Sequence, residues 1–513
     1  MPLLRKGILI PSQGIDYSQP ALFIPDRNGF PQNMRFYREE MRKRPGKTLL
    51  GGQVADATQI MGYGRLELSG GTKHLVRASK AKLERFNTST LAWVSIANTA
   101  FTGGDEDFFS ITDVTENEII IITNYIDAIR KWTGSGNAAA LGGSPPKAKY
   151  VTYLSPYTLL AYINNGATVN PWKIQWPDTS NPEVWTGGNS GSALISDEPS
   201  AIQNIAKLDE YVAVYKKESL ALGRKVDTSD VFSFDTIKTG IGLASPRGFV
   251  GAEGQHYFMG QNDFFVWNGV RIESIGKAVR DEVFSQVDRN KINRCHALHV
   301  QELNEVWFFI VVSGGTWPSQ VWKYNYRLGF WYFDTCSNLT AAIKWQRINT
   351  QSWDDDTGTW DSAQDIWDSG MSIANWEDIV FGDSSGYSLN LDYTTTNDNG
   401  VAVSAQFVTK DFTGDMLEFS KRWLKLDFFG KGPGKLYIDY STDEGSNWTN
   451  IPYTSSTAYI DLTGSYTKTE MYFDVWAEKI RFRFRNAESG ETFYLRNFYP
   501  YYLSRDEIET RRS

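Results

Sequence analysis

"KLERFNTSTLAWV", residues 82–94, and "QVWKYNYRLGFWYF", residues 320–333, decide how this chain is read. Phe86 aligns with Tyr324, Asn87 with Asn325 and Trp93 with Trp331, all at one offset of 238 residues. Each segment reads as a strand, an Asn-containing turn and a second strand opening on Trp. The offset is close to five units of about 48 residues, within the repeat lengths of propeller blades. Other units begin near Asp107, Lys149, Ala201, Gly242 and Asn293, and a last one runs from about Thr340 to Thr395. The spacing predicts an all-β fold, a β-propeller of about seven blades.

The rest of the chain fits that reading. Short aromatic, alternating segments recur, among them "YVAVY" (211–215), "DFFVW" (263–267) and "EVWFFIVV" (305–312), separated by Gly, Asn, Asp and Ser. Aromatics make up 14% of the residues and there are 44 glycines, which suits strands joined by tight turns. Radial packing would protect the edges of so many small sheets and bury the aromatics between blades. One helix is predicted over 276–292, with Val279, Val283, Phe284 and Val287 on one face. From about Asn397 the strands lengthen and alternate cleanly. In "KIRFRFRN" Arg481, Arg483 and Arg485 oppose Ile480, Phe482 and Phe484. This predicts a C-terminal antiparallel β-sandwich. The expected organisation is an N-terminal arm and hairpin (1–62) closing onto the propeller, the propeller (63–396), the sandwich (397–505) and a polar tail (506–513).

Formal net charge is −8 and the pI is near 5.3, which argues against a protein that grips a phosphate backbone. Two cysteines and four histidines offer little to a metal. Cys295, His296 and His299 cluster in "RCHALH", but on a strand the two histidines point to opposite faces, so no metal centre and no cofactor is expected. No P-loop, nucleophile elbow or paired-His motif appears, and the expectation is a protein that is not an enzyme. "STDEGSNW" (441–448) resembles the Asp-box of sialidases and related propellers, in which Asp and Gly organise a hairpin turn and Trp packs beneath it. The Arg-Ile-Pro signature of those hydrolases is absent, which leaves a structural turn. "SWDDDTGTWDSAQDIWDSG" (352–370) repeats Trp every seven residues among Asp354, Asp355, Asp356, Asp361, Asp365 and Asp368. It reads as an acidic loop whose sharper role is a rim or channel element that keeps DNA from adhering. No apolar run reaches the length of a signal peptide or membrane span, so folding in a cytoplasm is expected.

The most basic stretch is "NMRFYREEMRKRPGK" (33–47), with a local charge of +4. With its flanks it has the form of a strand, a turn and a second strand ending in Arg-Pro-Gly. This resembles the N-terminal signature of tail-hub and nozzle proteins of short-tailed bacteriophages, the phage-stabilisation type. "TGIGLASPRGFVGAEGQHYFMGQNDFFVWNG" (239–269) and the Trp-Asp repeat are similar to the same family. The resemblance implies a virion structural protein: a homo-oligomeric ring, commonly a hexamer, below the portal and adaptor, extending and closing the DNA ejection channel. It implies assembly in the host cytoplasm and DNA that passes without sequence-specific binding. Arg35, Tyr37, Arg38, Arg42, Lys43 and Arg44 then face a neighbouring subunit or the adaptor, since Arg and Tyr are enriched at interfaces. A receptor-binding tail protein, gripping a surface glycan through exposed Trp and Tyr of the sandwich, is the alternative reading. A propeller-type glycan hydrolase is a further one.

Overall fold

The computed structural model describes residues 4–5, 8–9, 13–25, 28–37, 40–179, 181–226, 231–346, 378–414 and 419–503. Among them, seven antiparallel blades follow one another in sequence, the first five as separate four-stranded sheets and the sixth and seventh continued by strands from elsewhere in the chain. Blades 1 to 7 span 60–95, 110–140, 147–194, 202–239, 249–274, 296–335 and 339–392. The first strand of each blade is innermost. Ile60–Glu67 of blade 1 packs on Ser110–Val114 of blade 2, and Leu339–Trp345 of blade 7 packs back on Ile60–Glu67, so the ring closes. The chain is a β-propeller.

Each gap between neighbouring blades holds its own apolar core, and the strands supply both sides by simple alternation. On Ile119–Thr123, Ile120 and Ile122 enter the core shared with blade 1, while Ile119 and Ile121 enter the core shared with blade 3. On Glu305–Ile310, Val306, Phe308 and Ile310 face blade 5, and Trp307 and Phe309 face blade 7. Strands buried on both faces read as unbroken apolar runs, which is why "IIII" and "VWFFI" look as they do.

The two look-alike hairpins are the third and fourth strands of blades 1 and 6, with Phe86 opposite Trp93 and Tyr324 opposite Trp331. Their shared Asn has a physical cause. Asn87 Oδ1 accepts from the amides of Ser89 and Thr90, and Asn325 Oδ1 accepts from those of Arg327 and Leu328. Both are side-chain-closed turns. Asn268 makes the same turn in blade 5. Both tryptophans donate their indole N–H to a backbone carbonyl, Trp93 to Leu50 and Trp331 to Ile275, at 2.7 and 2.9 Å.

Blade 7 cannot complete itself. Its three own strands are joined by Gly46–Leu49 from the N-terminal arm, which pairs antiparallel with Ser388–Asp392. The predicted helix is shorter than 276–292: the α-helix is Arg280–Gln286, followed by a 3-10 turn at Arg289–Arg294. Val287 leaves the helix to bridge Val312, and the Asp288 side chain caps the next turn through Asn290 N. Val279, Val283 and Val287 are buried as the periodicity requires, and Phe284 packs on Phe264.

Beyond the blades, two sheets face each other across one core. Trp423, Leu426, Phe428 and Phe498 line one side, and Phe407, Ile438, Phe482 and Phe484 the other. The N-terminal arm enters both sheets. Met34–Tyr37 and Glu40–Lys43 join the first beside Tyr494–Leu503. Gly29–Gln32 lies between the outer strand of blade 6, Phe330–Thr335, and Ala405–Thr409 of the second. The outer edge of blade 6 is thereby covered rather than left open to foreign strands.

Gly46 marks a tight point of closure, because a Cβ there would stand 2.0 Å from the Asn397 carbonyl oxygen. Gly46→Ala is expected to lower stability by about 2 kcal/mol through overpacking that backbone cannot relieve. Gly52→Ala, six residues on with nothing within 4 Å of its Cβ position, should leave the melting temperature unchanged. Thermal unfolding of the two variants checks this.

Candidate functional site

The basic stretch turns inward. Lys43, Arg44 and Lys47 are buried, at 3%, 5% and 6% exposure. Arg44 grips Asp398 with both terminal nitrogens, at 2.9 and 2.6 Å, and donates from Nε to Asn33 Oδ1 at 3.1 Å. Lys47 Nζ reaches the same Asp398 at 2.8 Å. Asp334 of blade 6 lies 3.8 Å from Arg44 and also pairs with Lys323. Lys43 Nζ donates to Asn486 Oδ1 and to the carbonyls of Glu488 and Glu491, at 3.1, 3.3 and 3.2 Å. Asn33, at φ +56°, donates to Thr335 Oγ1 and to the Ser404 carbonyl. Asn is among the few residues that adopt this backbone region readily. The stretch thus staples blade 6, blade 7 and the C-terminal sheets together.

This corrects the outward-facing reading of Lys43 and Arg44, whose donors are spent inside the chain. Arg35 and Arg42 are half-buried, Tyr37 lies on the strand Met34–Tyr37, and Arg38 lies outside the described residues. Asp354, Asp355, Asp356, Asp361, Asp365 and Asp368 also lie outside them.

A second arrangement sits on the propeller axis, at the upstream ends of the innermost strands. Arg247, half-buried ahead of blade 5, donates to the Thr340 carbonyl of blade 7 at 2.7 Å. Its guanidinium lies 3.6 Å from the ring centroid of Phe108, which leads into blade 2. Glu106 beside it pairs with Arg294, just ahead of blade 6, whose guanidinium covers Trp317 at 4.3 Å. Blades 2 and 5 stand on opposite sides of a seven-membered ring, so the contact between Phe108 and Arg247 closes the axis at that end. At the downstream ends of the innermost strands of blades 4 to 7 lies a cavity of about 380 Å³ lined by Lys207, Asp209, Glu253, His299, Gln301 and Lys344. Nothing in the local sequence of Phe108 or Arg247 announces their meeting, because 139 residues separate them.

The other candidates are structural. The Asp-box turn forms: Asp443 accepts from the Asn447 amide at 2.9 Å and from Ser441 Oγ at 2.7 Å, and Trp448 lies under the Arg483 guanidinium at 4.4 Å. Burial pushes the thiols of Cys295 and Cys336 up to about 12 and His256 down to about 4. His296 is likewise held neutral by burial and stacks on Phe309 at 4.3 Å. His299 lies 3.2 Å from the Tyr326 hydroxyl. Among the described residues no group of three or more His, Cys, Asp or Glu is arranged to hold a metal ion, and no helix is long and apolar enough to cross a membrane.

No protein family's sequence profile matches this chain, and no curated protein matches it. Among solved structures it is similar to YCF48 from Cyanidioschyzon merolae, at 10% identity and a TM-score of 0.40, over 68% of this chain and 98% of that one. It is similar to the WD40 propeller domain of Doa1 at 8% identity and a TM-score of 0.38, over 67% and 96%. BamB from Moraxella catarrhalis gives 12% identity and a TM-score of 0.36, over 70% and 93%. None of these three is named as a phage tail protein, and at such scores they add nothing to the blade topology already described.

The Asp398 staple titrates. Burial opposes its charge, but hydrogen bonds and charge from Arg44 and Lys47 prevail and hold it down at about 2. An unfolded Asp titrates near 3.9, so the staple's contribution is complete above pH ~4 and is lost as pH falls from there through about 2. Asp398→Asn should cost about 3 kcal/mol near neutrality by leaving Arg44 and Lys47 without their anion. It should also flatten the fall in stability between pH 4 and 2. Urea unfolding across that pH range measures both.

Proposed function

We propose that this chain is a structural subunit of a bacteriophage tail, a hub or nozzle protein that assembles as a ring below portal and adaptor and extends the DNA ejection channel. The observation that carries the reading is the place of the Arg-Pro-Gly stretch. The residues on which the resemblance rests are those that close blade 7 and lock the propeller to the C-terminal sheets. Pro45 restricts Arg44 to extended backbone, Gly46 passes where a side chain would meet Asn397, and Arg44 binds both carboxylate oxygens of Asp398. Such a motif belongs to a scaffold that must stay shut.

The closed axis refines the proposal. DNA would not thread a single propeller, because Phe108 and Arg247 meet across it. The conduit would run between copies, bounded by their outer surfaces, and its acidic character would favour passage over adhesion. The partners in this reading are further copies of the chain, commonly six, with the portal and adaptor, and the location is the virion tail.

Electron microscopy of the purified chain, alone and mixed with portal and adaptor, tests it. Rings of fixed rotational symmetry with a central opening are expected. A chain that stays monomeric in both samples would overturn the reading.

A further inference from the structure

The outer face of the first C-terminal sheet carries a second, independent feature. Its strands run in the order Met34–Tyr37, Glu40–Lys43, Tyr494–Leu503, Lys421–Lys431, Thr467–Ala477, and among the described residues the last is an edge. Along that edge Met471 and Ala477 turn into the core, while Lys468, Glu470, Tyr472, Asp474 and Trp476 turn out. Tyr472 is 66% exposed and Trp476 is 53% exposed, high for large aromatics. Four residues apart on one strand, they stand about 13 Å from each other.

Between and beside them lies a grid of paired charges. Arg422 holds Asp474 through two nitrogens, with Nε at 2.8 Å. Lys425 Nζ is 2.9 Å from both Asp427 and Glu470, and Lys468 Nζ is 2.9 and 2.7 Å from the same two carboxylates. The Tyr472 hydroxyl donates to Glu470 at 2.7 Å. Lys425 also lies between two rings, 5.7 Å from Tyr472 and 5.0 Å from Tyr501. Three cations thus meet three carboxylates on these two strands, and this group is neutral as a unit.

We propose that this face binds a neutral oligosaccharide laid along the edge strand, with Tyr472 and Trp476 as stacking platforms. The apolar C–H faces of sugar rings pack on aromatic rings, and their hydroxyl pairs match groups that both donate and accept. Arg422 with Asp474, between the platforms, presents such a pair. A phosphate backbone or an acidic glycan finds no net positive charge here. The centre of a protein–protein interface is depleted of charged residues, whereas the centre of this face is ionic. The platforms are held apart by backbone spacing, so an extended chain reaching both is bound better than a single sugar. The proposal rests on this face alone and stands or falls apart from the ring.

The test is a glycan array of neutral and acidic oligosaccharides probed with the full chain, followed by calorimetry with the best neutral binder. Neutral oligosaccharides should be retained and acidic ones not. Trp476→Ala and Tyr472→Ala should each weaken binding at least about tenfold, as central aromatic contacts do. Both variants should keep the wild-type circular dichroism spectrum. Tyr211→Ala, at an exposed aromatic on blade 4, should bind like wild type. The proposal is overturned by an array with no neutral binder, by undiminished binding in the two variants, or by self-association of the wild type that Trp476→Ala abolishes.

Discussion

Everything in this molecule depends on one short pairing, four residues of the N-terminal arm against the last strand of blade 7. A propeller blade is not a stable body by itself. Its strands are apolar on both faces, as Ile119–Thr123 and Glu305–Ile310 show, and each face needs the next blade. That mutual burial works only if the ring is complete. Blade 7 has three strands of its own, and Gly46–Leu49 supplies the fourth. The consequences reach directly into blade 1. Trp93 donates to the Leu50 carbonyl just after the closing strand. Arg77, fully buried, pairs with Glu84, donates to Ser388 Oγ of blade 7 and lies under Trp93 at 4.1 Å. With the ring open, that guanidinium would lose its hydrogen bond to Ser388 on the far side of the seam.

The closing strand is anchored by charge as well as by ladder bonds. Buried ion pairs seldom add much stability over an apolar core, because desolvation consumes most of the attraction. Their value lies in discrimination. Arg44, Lys47 and Asp398 satisfy one another in one register only, and a slip of Gly46–Leu49 by one residue would bury both cations away from their anion. Lys43, two residues from the closing strand and on the other body, is fixed just as firmly by Asn486 and two carbonyls. The linker between the two bodies is therefore as short as Arg44 and Pro45, and each end is pinned. Burial holds Lys43 down at about 8, which shows how much hydration it has given up to sit there.

What was legible in the sequence was local. The Asn-turn-Trp hairpins could be read because the Asn closes its own turn and the Trp sits at a fixed strand position, and both repeat. The double-faced strands could be read as apolar runs. The helix was overread because Val287 continues the apolar period while its backbone has already turned extended. The inward role of Lys43 and Arg44 is hidden for a similar reason: a run of cations looks solvated until its partners are found, and Asp398 lies 354 positions from Arg44. The meeting of Phe108 with Arg247 is illegible on the same ground, being a contact across a ring rather than along a strand.

Charge placement ties the scaffold to its surroundings. Among the described residues, nine lysines and arginines are buried against seven aspartates and glutamates. Lys43, Arg44, Lys47, Arg77, Lys216 and Lys323 are all withdrawn into the interior, where carboxylates or carbonyls receive them. Among the described residues, burial therefore withdraws more positive than negative charge from solvent. The same residues that hold the fold closed also remove positive charge from its outside. In the proposed role beside a DNA channel, stability and surface chemistry would be served by one arrangement, since every cation used as an internal clamp is one fewer available to phosphate.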